Sequence, residues 1–136
     1  MYVNEISFRV RYSETDRMGI VYHPNYYIWF EIGRTDYMRS LGCNYRDIEE
    51  KGILLPVIET HCFYKKPARY DDVVTVKTAL KEFKGVRLSF DYEIYNQKTE
   101  LLSYGYTVQV FVDKNLKPVN IKKVMPDIYY KLISNK

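Results

Sequence analysis

The stretch YSETDRMGIVYHPNYYIWFEIGR, residues 12–34, changes character midway, and that change decides the fold. Leading into it, residues 5–12 alternate. Ile6, Phe8, Val10 and Tyr12 share one face and Glu5, Ser7, Arg9 and Arg11 the other, the period-two mark of a half-buried strand that ends at SETD. From about residue 24 the apolar positions recur at three- and four-residue steps: Tyr26, Trp29, Phe30, Gly33, Tyr37 and Leu41, with Glu31, Arg34, Thr35 and Arg39 opposite. That spacing predicts a long helix with one buried face, stopped by Gly42. Gly33 weakens the helix from within its apolar stripe, so it marks a place where another backbone approaches closely.

Working outward, residues 44–54 read as a short polar helix ended by Gly52. Strand composition follows over 56–66, 72–80, 86–95 and 101–112, with turn signals at KKPARYDD, EFKG and YNQKTE. The last two strands alternate most clearly. Val86, Leu88, Phe90, Tyr92 and Ile94 stand against Arg87, Ser89, Asp91 and Glu93, and Tyr104, Tyr106, Val108, Val110 and Val112 stand against Thr107 and Gln109. Short turns between such strands imply antiparallel pairing. A closing helix is expected from Pro126 to about Ile133. The expected fold class is α+β: one domain over residues 1–136, with a five-stranded antiparallel sheet wrapped around the long helix. Such a sheet keeps open edges and one bare face, so a homodimer or homotetramer is expected.

Composition narrows the function classes. Cys43 and Cys62 form neither a disulfide framework nor a zinc pattern, and His23 and His61 are the only imidazoles, so neither a metal nor another cofactor is expected. The N-terminus has no signal-peptide core, and no run approaches the roughly 20 apolar residues of a membrane span, which points to the cytoplasm. Net charge is +4, but residues 61–90 carry 7 basic against 3 acidic side chains, which suits an anionic ligand. No nucleic-acid-binding motif accompanies it.

The ordered set Tyr12, Glu14, Thr15, Asp16, Gly19, Val21, Tyr22, His23, Pro24, Asn25 and Tyr26, together with PARYDD at 67–72, resembles the hotdog-fold acyl-CoA thioesterases of the 4-hydroxybenzoyl-CoA thioesterase family, in particular their bacterial short-chain branch. The likeness spans nearly the whole chain. It implies hydrolysis of acyl-CoA, with Asp16 at the position of the family's essential aspartate, a nucleophile or a general base. His23 and Tyr12 fall at positions of supporting role. On the same fold, a thioesterase acting on acyl-carrier proteins and a non-catalytic acyl-CoA-binding module are the alternatives.

The residues fit that chemistry. A thioester needs an attacking group and a stabiliser for the oxyanion; its thiolate leaves readily. The N-terminus of the long helix offers N–H groups without helical acceptors, and those of His23, Asn25 and Tyr26 are the candidates. Lys81, Lys84 and Arg87 around EFKG are candidate contacts for the phosphates of coenzyme A, with Lys65, Lys66 and Arg69 behind them. Taken alone, Ser13 and Asp16 also have the spacing of a capping box, which would give Asp16 only a turn to tie.

Overall fold

A computed structural model describes all 136 residues. Strand β1 (Val3–Arg9) is followed by a 3-10 turn at Tyr12–Glu14, helix α1 (Asn25–Ser40) and the short helix α2 (Tyr45–Glu50). Then come β2 (Val57–Tyr64), β3 (Val73–Phe83), β4 (Arg87–Tyr95) and β5 (Leu101–Val110), and finally α3 (Ile121–Val124) and α4 (Pro126–Asn135). The five strands form one antiparallel sheet in the order β1-β3-β4-β5-β2, with α1 laid across it. The α+β hotdog architecture expected from the sequence is therefore present, and α4 covers one end of the sheet with Ile128 and Leu132 buried.

The predicted stripe on α1 is the buried one. Tyr26, Trp29, Phe30, Gly33 and Tyr37 face inward, Phe30 stacked flat on Tyr92 of β4 with centroids 4.3 Å apart and Tyr37 meeting Phe90 edge-on at 5.3 Å. Each such ring contributes about 1.5–3 kcal/mol through burial. Gly33 is where α1 comes nearest the sheet, and the neighbours are side chains: a Cβ there would stand 2.7 Å from Val76 Cγ1 and 2.5 Å from Thr78 Oγ1 of β3. Gly42, with φ +76°, ends the helix as predicted.

The first strand differs from expectation. It runs Val3–Arg9 rather than 5–12, because the chain tightens at Arg11 into the 3-10 turn, where the Glu14 carboxylate accepts from the Arg11 N–H. Tyr12 consequently leaves the apolar face and is 76% exposed, its ring edge-on to Tyr70 at 5.6 Å.

Alternation in β5 does not reveal which side turns inward, and the polar side does. Ser103, Thr107 and Gln109 are buried toward α1, with Tyr92 and Thr107 hydroxyls 2.6 Å apart, while Tyr104 and Tyr106 look out from the uncovered face. At the far edge, β2 is exposed along most of its length, with Ile58 54% and Phe63 45% exposed.

Candidate active site

Residues 14–22 fold back on themselves as a tight hairpin between β1 and α1. Thr15 pairs with Val21, the Asp16 N–H donates to Ile20 O at 2.8 Å, and the Gly19 N–H closes the tip onto Asp16 O at 3.1 Å. Gly19 takes φ +79°, which a glycine adopts without strain. The second arm is tied to the loop after β2, the Val21 N–H donating to Ala68 O at 2.9 Å, and Ala68 N–H in turn donates to the Tyr26 hydroxyl at 3.0 Å on the first turn of α1. The hairpin and the helix start are thus one hydrogen-bonded unit.

Asp16 stands at the tip, half-buried. Its Oδ1 accepts the Met18 N–H at 2.8 Å and its Oδ2 has no partner. The capping-box partner of this turn is Glu14, not Asp16. Glu14 Oε1 accepts the Arg11 N–H at 2.8 Å and Oε2 accepts the Trp29 indole N–H at 2.8 Å, while Ser13 and Asp16 make no such pair. Two acids two residues apart therefore hold opposite states, one engaged through both oxygens and one with an oxygen free.

The first turn of α1 is tightened by short-range bonds: the Asn25 N–H donates to Tyr22 O at 2.9 Å and the Tyr26 N–H to His23 O at 3.2 Å. Of the three expected oxyanion donors, the His23 N–H is the one without an acceptor in the chain. Asn25 acts instead through its side chain, which donates to Glu14 O at 2.9 Å. The exposed His23 ring meets Tyr22 and Tyr64 edge-on at 5.2 and 6.1 Å, and the Tyr64 hydroxyl donates to His23 O at 3.2 Å.

Beside this turn lies an open cavity of about 330 Å³ walled by Ile20, Val21, His23, Tyr26, Tyr64, Lys65, Lys66 and Pro67. The second hairpin arm forms one side of it. Burial pushes the thiol of half-buried Cys62 on β2 above its ordinary value. A second, polar cleft of about 240 Å³ continues past Lys66 and Pro67 to Arg69 and Lys98, with Lys66 held to Glu100 at 2.7 Å.

The basic residues fall into two groups. Lys65 and Lys66 border the cavity, and Arg69 pairs through its backbone with Ile20. Lys81, Lys84 and Arg87 line a separate cavity of about 300 Å³ near the β3–β4 turn, with Asp91 and Tyr106. The sheet register sets that turn at the end opposite the one where Tyr64 of β2 pairs with Ser103, so a single protomer does not bring the second group to Asp16. Sequence reasoning missed Glu14 and Tyr64 as site-building residues. Tyr64 carries no local signal, its partner lying forty-one residues away, and the local spacing of Glu14 to Arg11 does not reveal its bond to Trp29, fifteen residues on. No His/Cys/Asp/Glu cluster capable of holding a metal is present.

A five-stranded antiparallel sheet of this order laid over one long helix is the fold of the hotdog thioesterases. Residues 10–132 match the thioesterase-like superfamily, and the chain belongs to that family. It is 41% identical to YneP of Bacillus subtilis, a candidate acyl-CoA thioesterase, over 93% of either chain. It is 33% identical to the acyl-CoA thioesterase YbgC of Haemophilus influenzae, over 95% of this chain and 97% of that one. Among solved structures, a DHNA-CoA thioesterase of Staphylococcus aureus superposes with a TM-score of 0.96 at 36% identity, over 98% of this chain and 91% of that one.

Proposed function

We propose that this protein hydrolyses acyl-CoA thioesters to free acid and coenzyme A, with Asp16 as the attacking or water-activating carboxylate and the His23 N–H as oxyanion donor. The observation that carries the reading is the division of labour in the hairpin: Glu14 holds the turn to the first turns of α1, and Asp16, two residues further on, presents Oδ2 without a partner. Two routes lead from that oxygen to the same products. In one it attacks the thioester carbon, expelling the CoA thiolate and leaving an acyl–Asp16 anhydride that water cleaves. In the other it takes a proton from a water that attacks directly. In both, charge builds on the carbonyl oxygen, and a preorganised N–H there is worth roughly 3–4 kcal/mol. His23 supports the reaction through its backbone, with its ring forming the rim of the acyl cavity. Tyr12 lies ahead of the hairpin, exposed against Tyr70, and takes no part in the proposed chemistry.

The acyl cavity favours an aromatic group. Tyr26, Tyr64 and His23 offer ring faces and edges, and the relative acting on DHNA-CoA handles such a group. For the phosphates of coenzyme A, Lys65, Lys66 and Arg69 are the group that adjoins the site within one protomer. Lys81, Lys84 and Arg87 serve that role only if a neighbouring copy brings them across. Assembly through the open β2 edge and the outer face bearing Tyr104 and Tyr106 is part of the proposal. So is residence in a reducing, cytoplasmic compartment, in keeping with two free cysteines.

Release of free thiol from short-, medium-, long-chain and aromatic acyl-CoAs, and from an acyl-carrier protein, tests the reading with Asp16→Asn alongside. Turnover on acyl-CoA, highest for aromatic acyl groups and reduced by about 10²–10⁴-fold in the variant, is the expected result. Binding without turnover, or undiminished turnover in Asp16→Asn, overturns it.

A further inference from the structure

Glu14 is 5% exposed and makes more polar contacts than any other residue of the hairpin. Its two carboxylate oxygens take the Arg11 N–H and the Trp29 indole N–H, each at 2.8 Å, and the Arg11 guanidinium stands 3.5 Å from Oε1. Its own N–H donates to Arg11 O at 3.0 Å, and its carbonyl accepts both the Tyr22 N–H at 2.8 Å and the Asn25 amide at 2.9 Å. Those partners come from the turn after β1, from the second arm of the hairpin and from the first two turns of α1. Trp29 is fully buried, between Phe8 of β1 at 5.8 Å and Tyr26 at 4.9 Å.

A carboxylate in such a place is a poor way to gain stability, because its desolvation offsets most of what its bonds return, and an apolar residue of like volume would serve as well. What it does supply is geometry. Two directed N–H groups on one carboxylate fix the turn relative to the helix, and Asp16 is two residues further along a hairpin whose tip residues Arg17, Met18 and Gly19 are exposed. The other direct tie from this base to α1 is the Asn25 amide on the Glu14 carbonyl at 2.9 Å, which is only part-buried, whereas the bond to the Trp29 indole is buried.

We infer that Glu14 is a positioning residue for thioester hydrolysis, its carboxylate bridging the Arg11 N–H and the Trp29 indole so that the Asp16 hairpin is held at a fixed distance from the N-terminus of α1. The inference rests on Asp16 being the reacting carboxylate. Displacement of a reacting group by about 1 Å costs on the order of 10²-fold in rate, and binding of the acyl-CoA draws on other residues, so the effect belongs in kcat.

Glu14→Gln keeps size and one acceptor but turns an amide N–H₂ toward one of the two donors. It is expected to lower kcat by about 10–100-fold with KM within about twofold of wild type. Trp29 is the only tryptophan, so its emission reports the broken contact directly and is expected to shift in the same variant. Trp29→Phe removes the donor from the other side and should reproduce the kcat loss. The double variant should be no slower than the slower single one, because both remove the same link. Should Glu14→Gln fail to fold, Trp29→Phe carries the kcat and KM comparison. Asp16→Asn is assayed beside them. If it is inactive while Glu14→Gln turns over at the wild-type rate, or loses only KM, the positioning role is overturned and the Asp16 reading stands. If Asp16→Asn is active, the reading beneath the inference has failed.

Discussion

Gly33→Ala sets two well-understood effects against each other, and the structure decides the sign. By helix propensity alone the change stabilises α1 by about 1 kcal/mol. Against that, the new methyl would stand 2.7 Å from Val76 Cγ1 and 2.5 Å from Thr78 Oγ1, where unstrained carbon contacts begin at about 3.5 Å. Both neighbours are fully buried and β-branched, with little rotamer freedom to give way, so α1 must rise from β3 by roughly 1 Å. Overpacking of that kind costs about 2–3 kcal/mol, which leaves a net loss of about 1–2 kcal/mol. For a chain of this size that is a fall in Tm of about 4–8 °C. Because the His23 N–H lies just ahead of α1, and the first turn of α1 is linked to the hairpin through Asn25 and, by way of Ala68, through Tyr26, the same movement should lower kcat by about tenfold on the proposed function. Calorimetry and thiol release on one preparation measure both. A Tm equal to or above wild type would show that the sheet yields at this point, and would refute the claim that Gly33 sets the spacing of helix and sheet.

Two further outcomes follow from the packing. Tyr26→Phe removes the oxygen that accepts the Ala68 N–H at 3.0 Å and strands a buried donor, so it should cost about 1–3 kcal/mol in denaturant unfolding; an unchanged midpoint would count against the contact. Burial raises the phenols of Tyr26, Tyr45 and Tyr92, and that of Tyr37 to about 12 from an ordinary 10.0. With folded values above unfolded ones, their contribution is complete below pH 10 and is lost as pH rises toward 12, because the unfolded chain ionises first. Phenolate absorbance should therefore rise in two stages, the second coinciding with loss of the fold; one smooth stage with the fold intact would refute this.

How much of this was legible in the sequence depends on the range of the interaction. The stripe on α1 was legible because 3.6-residue spacing and burial are the same fact seen twice, and Gly42 because a chain reversal needs a positive φ. The inward face of β5 was not, since alternation defines two faces without naming the core. Here Ser103, Gly105, Thr107 and Gln109 take the inside and the tyrosines go out; at Gly105 a Cβ would run into the His61 carbonyl of β2 and the ring of Phe30. The sequence motif points to Asp16 as the distinctive acid, but a capping box read by spacing alone also falls on Asp16, whereas the structure gives that task to Glu14. The tryptophan that settles the matter is fifteen residues downstream and becomes a neighbour only once β1 and α1 have packed. That Lys65 and Lys66 fall beside one cavity and the EFKG cluster beside another was not legible for a similar reason: charge density along the chain carries no information about which end of the sheet it occupies.

The hairpin that carries Asp16 also sorts its own positions by how freely they can change. At residues 17 and 18 no side-chain hydrogen bond is made; Met18 contributes only a backbone N–H, and both side chains point to solvent. At 19 the backbone demands glycine, and at 14 the side chain is held on every side. Variation at 17 and 18 therefore changes the exposed tip of the hairpin while the backbone bonds that hold Asp16 stay in place. On the proposed function, residues 17 and 18 are where side chains can be exchanged with least cost to the fold, and where a designer altering the surroundings of Asp16 should begin.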